Sequence, residues 1–181
     1  MSELDGLENI LPDNERSLQT LARTLKLTQR RFSLILVRCN YTSLQEQILQ
    51  RLRQQCGVEF AELVLPSSTT KLYSNILHQV EDQPPAALMV LGLESVQALD
   101  DLLVAANKTR DKFKSDFAFP IILWVTDSIL HRLGRLAPDF NSWASPPIQF
   151  TIASDDMVKS LRQKAEQAFS GDADFSLDGF D

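Results

Sequence analysis

Four polar residues follow apolar runs of the kind that become strands: Asn40 after Phe32–Val37, Glu94 after Ala87–Leu91, and Thr126 and Asp127 after Pro120–Val125. In an open parallel sheet, ligands bind outside the carboxyl ends of the strands, so these four are the cleft candidates, chosen by position rather than by residue type. Two readings of each stand. Glu94 is a candidate catalytic or metal-holding carboxylate, or an acid at a helix start favoured by the helix dipole. Thr126-Asp127 is a polar pair at the cleft, or ordinary capping of the helix that follows.

Phosphate chemistry asks for more than an acid. A run of glycines after the first strand lets backbone N–H groups converge on the anion, and a Lys reaches it. Here the connection is Arg38-Cys-Asn-Tyr-Thr-Ser43, with no glycine and no Lys, and the Rossmann G-x-G-x-x-G fingerprint is absent too. This argues against ordinary NTP hydrolysis. Cys39 as a nucleophile needs a base, but His78 and His131 fall inside expected helices, so an inert buried thiol is the better reading. Two cysteines and two histidines, without Cys-x-x-Cys or His-x-x-x-His spacing, make no zinc site and no disulfide framework. No catalytic residue, metal or cofactor is assigned.

A second group of residues has the chemistry of recognition. Arg16 to Arg38 carries six bases (Arg16, Arg23, Lys26, Arg30, Arg31, Arg38) and no acid. It is a solvated helix face, or a docking patch for an acidic partner or the chain's own acidic tail. Phe140 and Trp143 lie in a polar segment bounded by Pro138 and Pro147. They pack over the sheet's edge, or form an exposed anchor of the sort that dominates protein interfaces. Phe140, Trp143, Arg30 and Arg31 are the partner-binding candidates.

The elements that must position these residues follow from apolar spacing. Leu18, Leu21, Ala22 and Leu25 mark one face of a leading helix from Asn14 to about Leu27. Strand Phe32–Val37 follows, then a helix with Leu44, Ile48, Leu49 and Leu52 on one side, a possible Ser43/Glu46 capping box, and Gly57 as terminator. Val58–Leu65 alternates more, which places this strand nearer a sheet edge; a helix with Leu72, Ile76, Leu77 and Val80 comes next. Ala87–Leu91 is the third strand, followed by a helix from about Ser95 to Lys114. Pro120–Val125 is the fourth, followed by a short helix; Pro138–Pro147 is a loop, Ile148–Ile152 a fifth strand, and a last helix runs from Asp155 or Asp156 to about Phe169. Strands alternating with helices predict a three-layer α/β/α fold with a mostly parallel five-stranded sheet and right-handed crossovers.

The domain organisation read from this pattern is an irregular lead-in over 1–13, a single α/β domain over 14–169, and an acidic disordered tail over 170–181. The whole chain of 181 residues has 44% hydrophobic and 23% charged residues, ordinary for a globular protein with a core. Its net charge of −6 argues against nucleic acid as the main partner, leaving a nucleic-acid adaptor through the basic N-terminal stretch as the weakest reading. The first fifteen residues hold five acids and no base, unlike a secretory signal, and no apolar run is long enough to span a membrane; the expected compartment is the cytoplasm.

The leading helix, the strand Phe32–Val37, the strand Ala87–Leu91 ending in Gly92-Leu-Glu94 and the strand ending in Thr126-Asp127 together resemble the P-loop ATPases of the AAA+ and STAND type. The resemblance implies a P-loop NTPase-like topology, with Glu94 where the family's third strand ends in acids that hold magnesium and polarise water, and Thr126 where its fourth ends in a polar sensor. The chain departs from that family in its missing phosphate loop. Leu123-Trp-Val-Thr-Asp127, with Leu136-Ala-Pro-Asp-Phe140 and Trp143, resembles the N-terminal regions of bacterial, notably cyanobacterial, STAND or tetratricopeptide-repeat proteins. The expected function is a non-catalytic interaction or regulatory module, whose partner is a protein or the other domains of a larger signalling protein. The alternative is a nucleotide or small-ligand sensor or hydrolase using the cleft beside Asn40, Glu94, Thr126 and Asp127.

Overall fold

The computed structural model describes residues 12–152 and 164–169. They fall in two units, Met1–Phe150 and Thr151–Asp181, of which the first holds the sheet. Within the second, residues 164–169 are helical. Most of the expected lead-in, the start of the last helix and the acidic tail lie outside the described residues.

Helix α1 (Pro12–Leu27) buries Leu18, Leu21 and Leu25 and carries acids in its first turn and Lys26 in its last, matching the helix dipole at both ends. Strand β1 (Ser33–Cys39) leads into α2 (Thr42–Gln55), which buries the four apolar residues that the spacing marks. The capping box does not form: the helix starts at Thr42, so Ser43 lies inside the first turn and cannot cap it. Gly57 takes φ +66 and ends the helix as expected. Strand β2 (Ala61–Val64) is shorter than its apolar run because only these four residues pair with β3 (Leu88–Leu91). Between them α3 (Leu72–Val80) buries Leu72, Ile76 and Val80, whereas Leu77 faces solvent.

The long helix expected after β3 is broken. A 3₁₀ turn at Leu93–Ser95, α4 (Leu99–Lys108) and α5 (Arg110–Asp116) share the segment. Thr109 makes the second break, its hydroxyl donating back to the Ala105 carbonyl at 2.8 Å and competing with the helix ladder. Strand β4 (Pro120–Val125) is wholly buried and leads into α6 (Asp127–Leu136). The loop expected after it contains a turn of helix, α7 (Pro138–Asn141), and strand β5 (Ile148–Phe150) completes the sheet. Asn107 of α4 organises α7 from a distance: its side-chain oxygen accepts from the Asp139 and Phe140 amides, both at 3.0 Å.

All pairings are parallel and the strand order is β2-β3-β4-β1-β5. The β1–β2 connection passes over two strands, and β4 lies between β1 and β3, which gives the three-layer α/β/α fold its P-loop NTPase-like topology. Side chains alternate across the sheet. Leu34, Leu36, Val90, Ile121 and Leu123 join the core with α3, α4 and α6 on one face. On the other, α2 packs on β1 and α1 on β5, over Ile35, Val37, Met89 and Trp124. Trp124 donates to the Met89 sulfur at 3.3 Å and stacks on Phe150 with ring centroids 6.0 Å apart.

Candidate functional site

From β1 the chain travels toward one edge of the sheet; from β4 it passes β1 toward the other. The crevice between the ends of these two neighbouring strands is therefore the switch point at which this architecture binds ligands. Three of the four cleft candidates, Asn40, Glu94 and Thr126, line one small cavity there, together with Cys39, Tyr41 and Trp124.

Asp127 turns away from that cavity into a latch. The Asn40 side-chain amide donates to the Asp127 carboxylate at 2.9 Å, and its oxygen accepts from the Asp127 backbone N–H at the same distance. Arg38 forms an ion pair with the other Asp127 oxygen. Arg38 lies opposite Val125 in the β1–β4 register, so the parallel pairing itself brings its side chain to the start of α6. Thr126 is the N-cap of α6, its hydroxyl accepting from the Ile129 N–H at 3.3 Å. Capping is thus the local role of Thr126, and Asp127 couples the first turn of α6 to the end of β1.

The volume left is about 40 Å³. That is room for roughly a water or two, against the several hundred Å³ typical of a small-molecule site. Cys39 lies at the back of it, its thiol donating to the Tyr41 carbonyl at 3.3 Å, and burial pushes its pKa up, so it sits as a neutral thiol. His78 and His131 are exposed on α3 and α6, and neither lines the cavity. Among the described residues no three His, Cys, Asp or Glu side chains are grouped as a metal site, and no helix is long and apolar enough to cross a membrane.

The partner-binding candidates lie at the opposite end of β1. Arg30 and Arg31 are exposed immediately before Phe32, and Trp143 meets the Phe32 ring edge-on at 5.9 Å. Phe32, Trp143 and Lys114 rim a shallow depression of about 230 Å³. Arg30 is held at φ 64, a left-handed conformation uncommon for a residue with a side chain. Phe140 does not belong with them: it is 0% exposed, its ring 5.0 Å from that of Phe113, and it is a core residue rather than an anchor. Asn107, by accepting from the Phe140 amide, fixes it there. Arg38, Asn107 and Lys114 are the participants that sequence reasoning missed as site residues. Arg38 carried a signal, as a charge inside an otherwise apolar strand.

No family model matches the chain, and no curated protein matches it. Among solved structures, the Aeropyrum pernix ORC1 protein in complex with DNA is similar, at 12% identity and a TM-score of 0.46. The match covers 89% of this chain and 51% of that one, so this chain spans about half the length of that protein. The fold class follows from the strand order and the parallel pairing without that likeness.

Proposed function

We propose that this chain is a non-catalytic protein-interaction or regulatory module built on a degenerate P-loop-like fold. The observation that carries the reading is the small size of the switch-point cavity, about 40 Å³, beside which Arg38 and Asn40 are both bonded to Asp127. The segment from Cys39 to Thr42 that would have to cradle a phosphate contains neither glycine nor Lys. The recognition surface is the start of β1, where Arg30, Arg31, Lys114 and half-buried Trp143 offer cations around an aromatic ring. The resemblance of Leu123–Asp127, Leu136–Phe140 and Trp143 to cyanobacterial STAND and tetratricopeptide-repeat proteins favours a cytoplasmic signalling role. The partner is then a protein or the other domains of a larger signalling protein. The net charge of −6 speaks against nucleic acid in that role.

A second reading has one observation in its favour, the convergence of Asn40, Glu94 and Thr126 on a single cavity. It makes the chain a nucleotide or small-ligand sensor, or a hydrolase. Substitutions separate the two. Under the interaction reading, Trp143→Ala and Arg31→Glu each abolish capture of the partner from the source cell, while Thr126→Val, at the cavity, is silent in the folded protein. Arg30→Gly removes a charge where glycine accepts the backbone without strain, and it weakens capture in a fully folded protein. Silent Trp143 and Arg31 variants beside a dead but folded Thr126→Val would overturn the interaction reading.

A further inference from the structure

The sheet has a second surface, away from the strand-start patch and adjoining the cleft through Thr42, Gln45 and Glu94. β2 is an edge strand, and the Ala61 and Leu65 amides donate inward to the Ala87 and Leu91 carbonyls at 2.9 Å. Backbone groups alternate direction along a strand, so the N–H and C=O of Glu62 and Val64 point outward, and no strand meets them among the described residues. Both side chains project to the α2 side of the sheet, because Leu63 and Leu65 join the core on the other side.

On that side α2 covers β1 and Met89 of β3 is buried, but β2 and the carboxyl end of β3 are left beside a groove of about 620 Å³. Its apolar lining comes from Leu49, Leu91 and Val64, and Val64 is 64% exposed, unusual for a strand valine. Around these stand three carboxylates, Glu46, Glu62 and Glu94, against a single cation, Arg53. Arg53 is already committed: it pairs with Glu62 and lies over the Phe60 ring at 5.4 Å. Glu46 and Glu94 make no ion pair among the described residues. The strand carries no Pro, Lys or bulge; what guards it is its four-residue length and the charge of Glu62, which is paired with Arg53.

We propose that this edge docks an extended segment of a partner protein as a sixth strand, the segment's groove-facing side chains being an aliphatic residue flanked by Lys or Arg. The main chain of Glu62 and Val64 supplies the hydrogen bonds, the aliphatic residue covers Val64, and the flanking cations answer Glu46 and Glu94. Charge selects the occupant: an acidic strand would meet two uncompensated carboxylates, a basic one relieves them.

The full chain is titrated with the fluorescent peptide Lys-Thr-Val-Thr-Lys-Thr-Val-Thr, and in parallel with its Glu-for-Lys counterpart, by anisotropy at low and high salt. Binding of the Lys peptide and not the Glu peptide, weakening with salt, is expected. Val64→Pro removes an outward N–H and leaves the ladder to β3 intact, and it lowers affinity about tenfold or more. Should circular dichroism find Val64→Pro unfolded, Val64→Lys sets a cation against the peptide and gives the same loss. Glu46→Lys, on the exposed side of α2, weakens binding several-fold, and Trp143→Ala leaves it unchanged. The proposal is overturned if neither peptide binds, if both bind equally, or if the Val64 variants that fold bind as the parent does.

Discussion

Asn40 uses both ends of its side-chain amide on one residue, donating to the Asp127 carboxylate and accepting from its backbone N–H. Asn40→Ala removes both bonds and leaves the first amide of α6 without its partner, so it is expected to cost about 1–2 kcal/mol in urea unfolding. A cost near zero would mean that the latch does not hold β1 to α6. A second residue-level prediction concerns Tyr73, whose hydroxyl donates to Asp116. That bond raises the Tyr73 pKa above its usual 10.0 and lowers that of Asp116 below its usual 3.8. The Tyr73 contribution is therefore present below pH 10.0 and lost as pH rises through the folded value; the Asp116 contribution is present above pH 3.8 and lost as pH falls through the lower folded value. Tyr73→Phe should flatten both limbs of a stability–pH curve, and a curve that keeps its shape would contradict the pairing. At this scale the sequence was legible where strand ends could be found: Asn40, Glu94 and Thr126 share a cavity because they follow β1, β3 and β4. Arg38 was not, since its partner depends on β1 lying beside β4, which chain order does not state. Phe140 was misread because its neighbours are polar, while its burial depends on Phe113, far away in sequence.

Elements were legible wherever their apolar faces are complete, as in α2, and blurred wherever a polar side chain from elsewhere decides the boundary. Asn107 turns an expected loop into α7, and Thr109 divides α4 from α5; neither effect has a periodicity to betray it. The glycines give a graded test at this scale. Gly57 and Gly92 both have positive φ, but a Cβ on Gly57 would meet only the end of Lys26 at 4.0 Å, whereas on Gly92 it would lie 3.2 Å from the Leu65 carbonyl oxygen. Gly57→Ala should then cost about 1 kcal/mol, the conformational penalty alone, and Gly92→Ala more, about 2–3 kcal/mol with the crowding added. Equal losses in thermal or denaturant unfolding would show that the close approach of the β2 end to Gly92 is relaxed in solution.

Across the whole molecule, β1 separates two chemistries. Its start carries Arg30, Arg31 and the Phe32–Trp143 pair; its end carries the latch and the small cavity. The βα alternation made the parallel sheet legible, and the alternating pattern of residues 58–65 marked β2 as an edge, but the order in which the strands lie side by side had no local signature. That order is what makes the β1–β4 crevice the place to test. The most direct measurement is the melting temperature of the chain with and without millimolar ATP, ADP, GTP or GDP and magnesium. A module whose switch-point cavity holds only about 40 Å³ melts at the same temperature in all of them. A ligand present at a hundred times its Kd would add about 2.7 kcal/mol and raise the melting point by several degrees, and such a shift with any nucleotide would contradict the closed cleft and return Glu94 and Thr126 to the centre of the account.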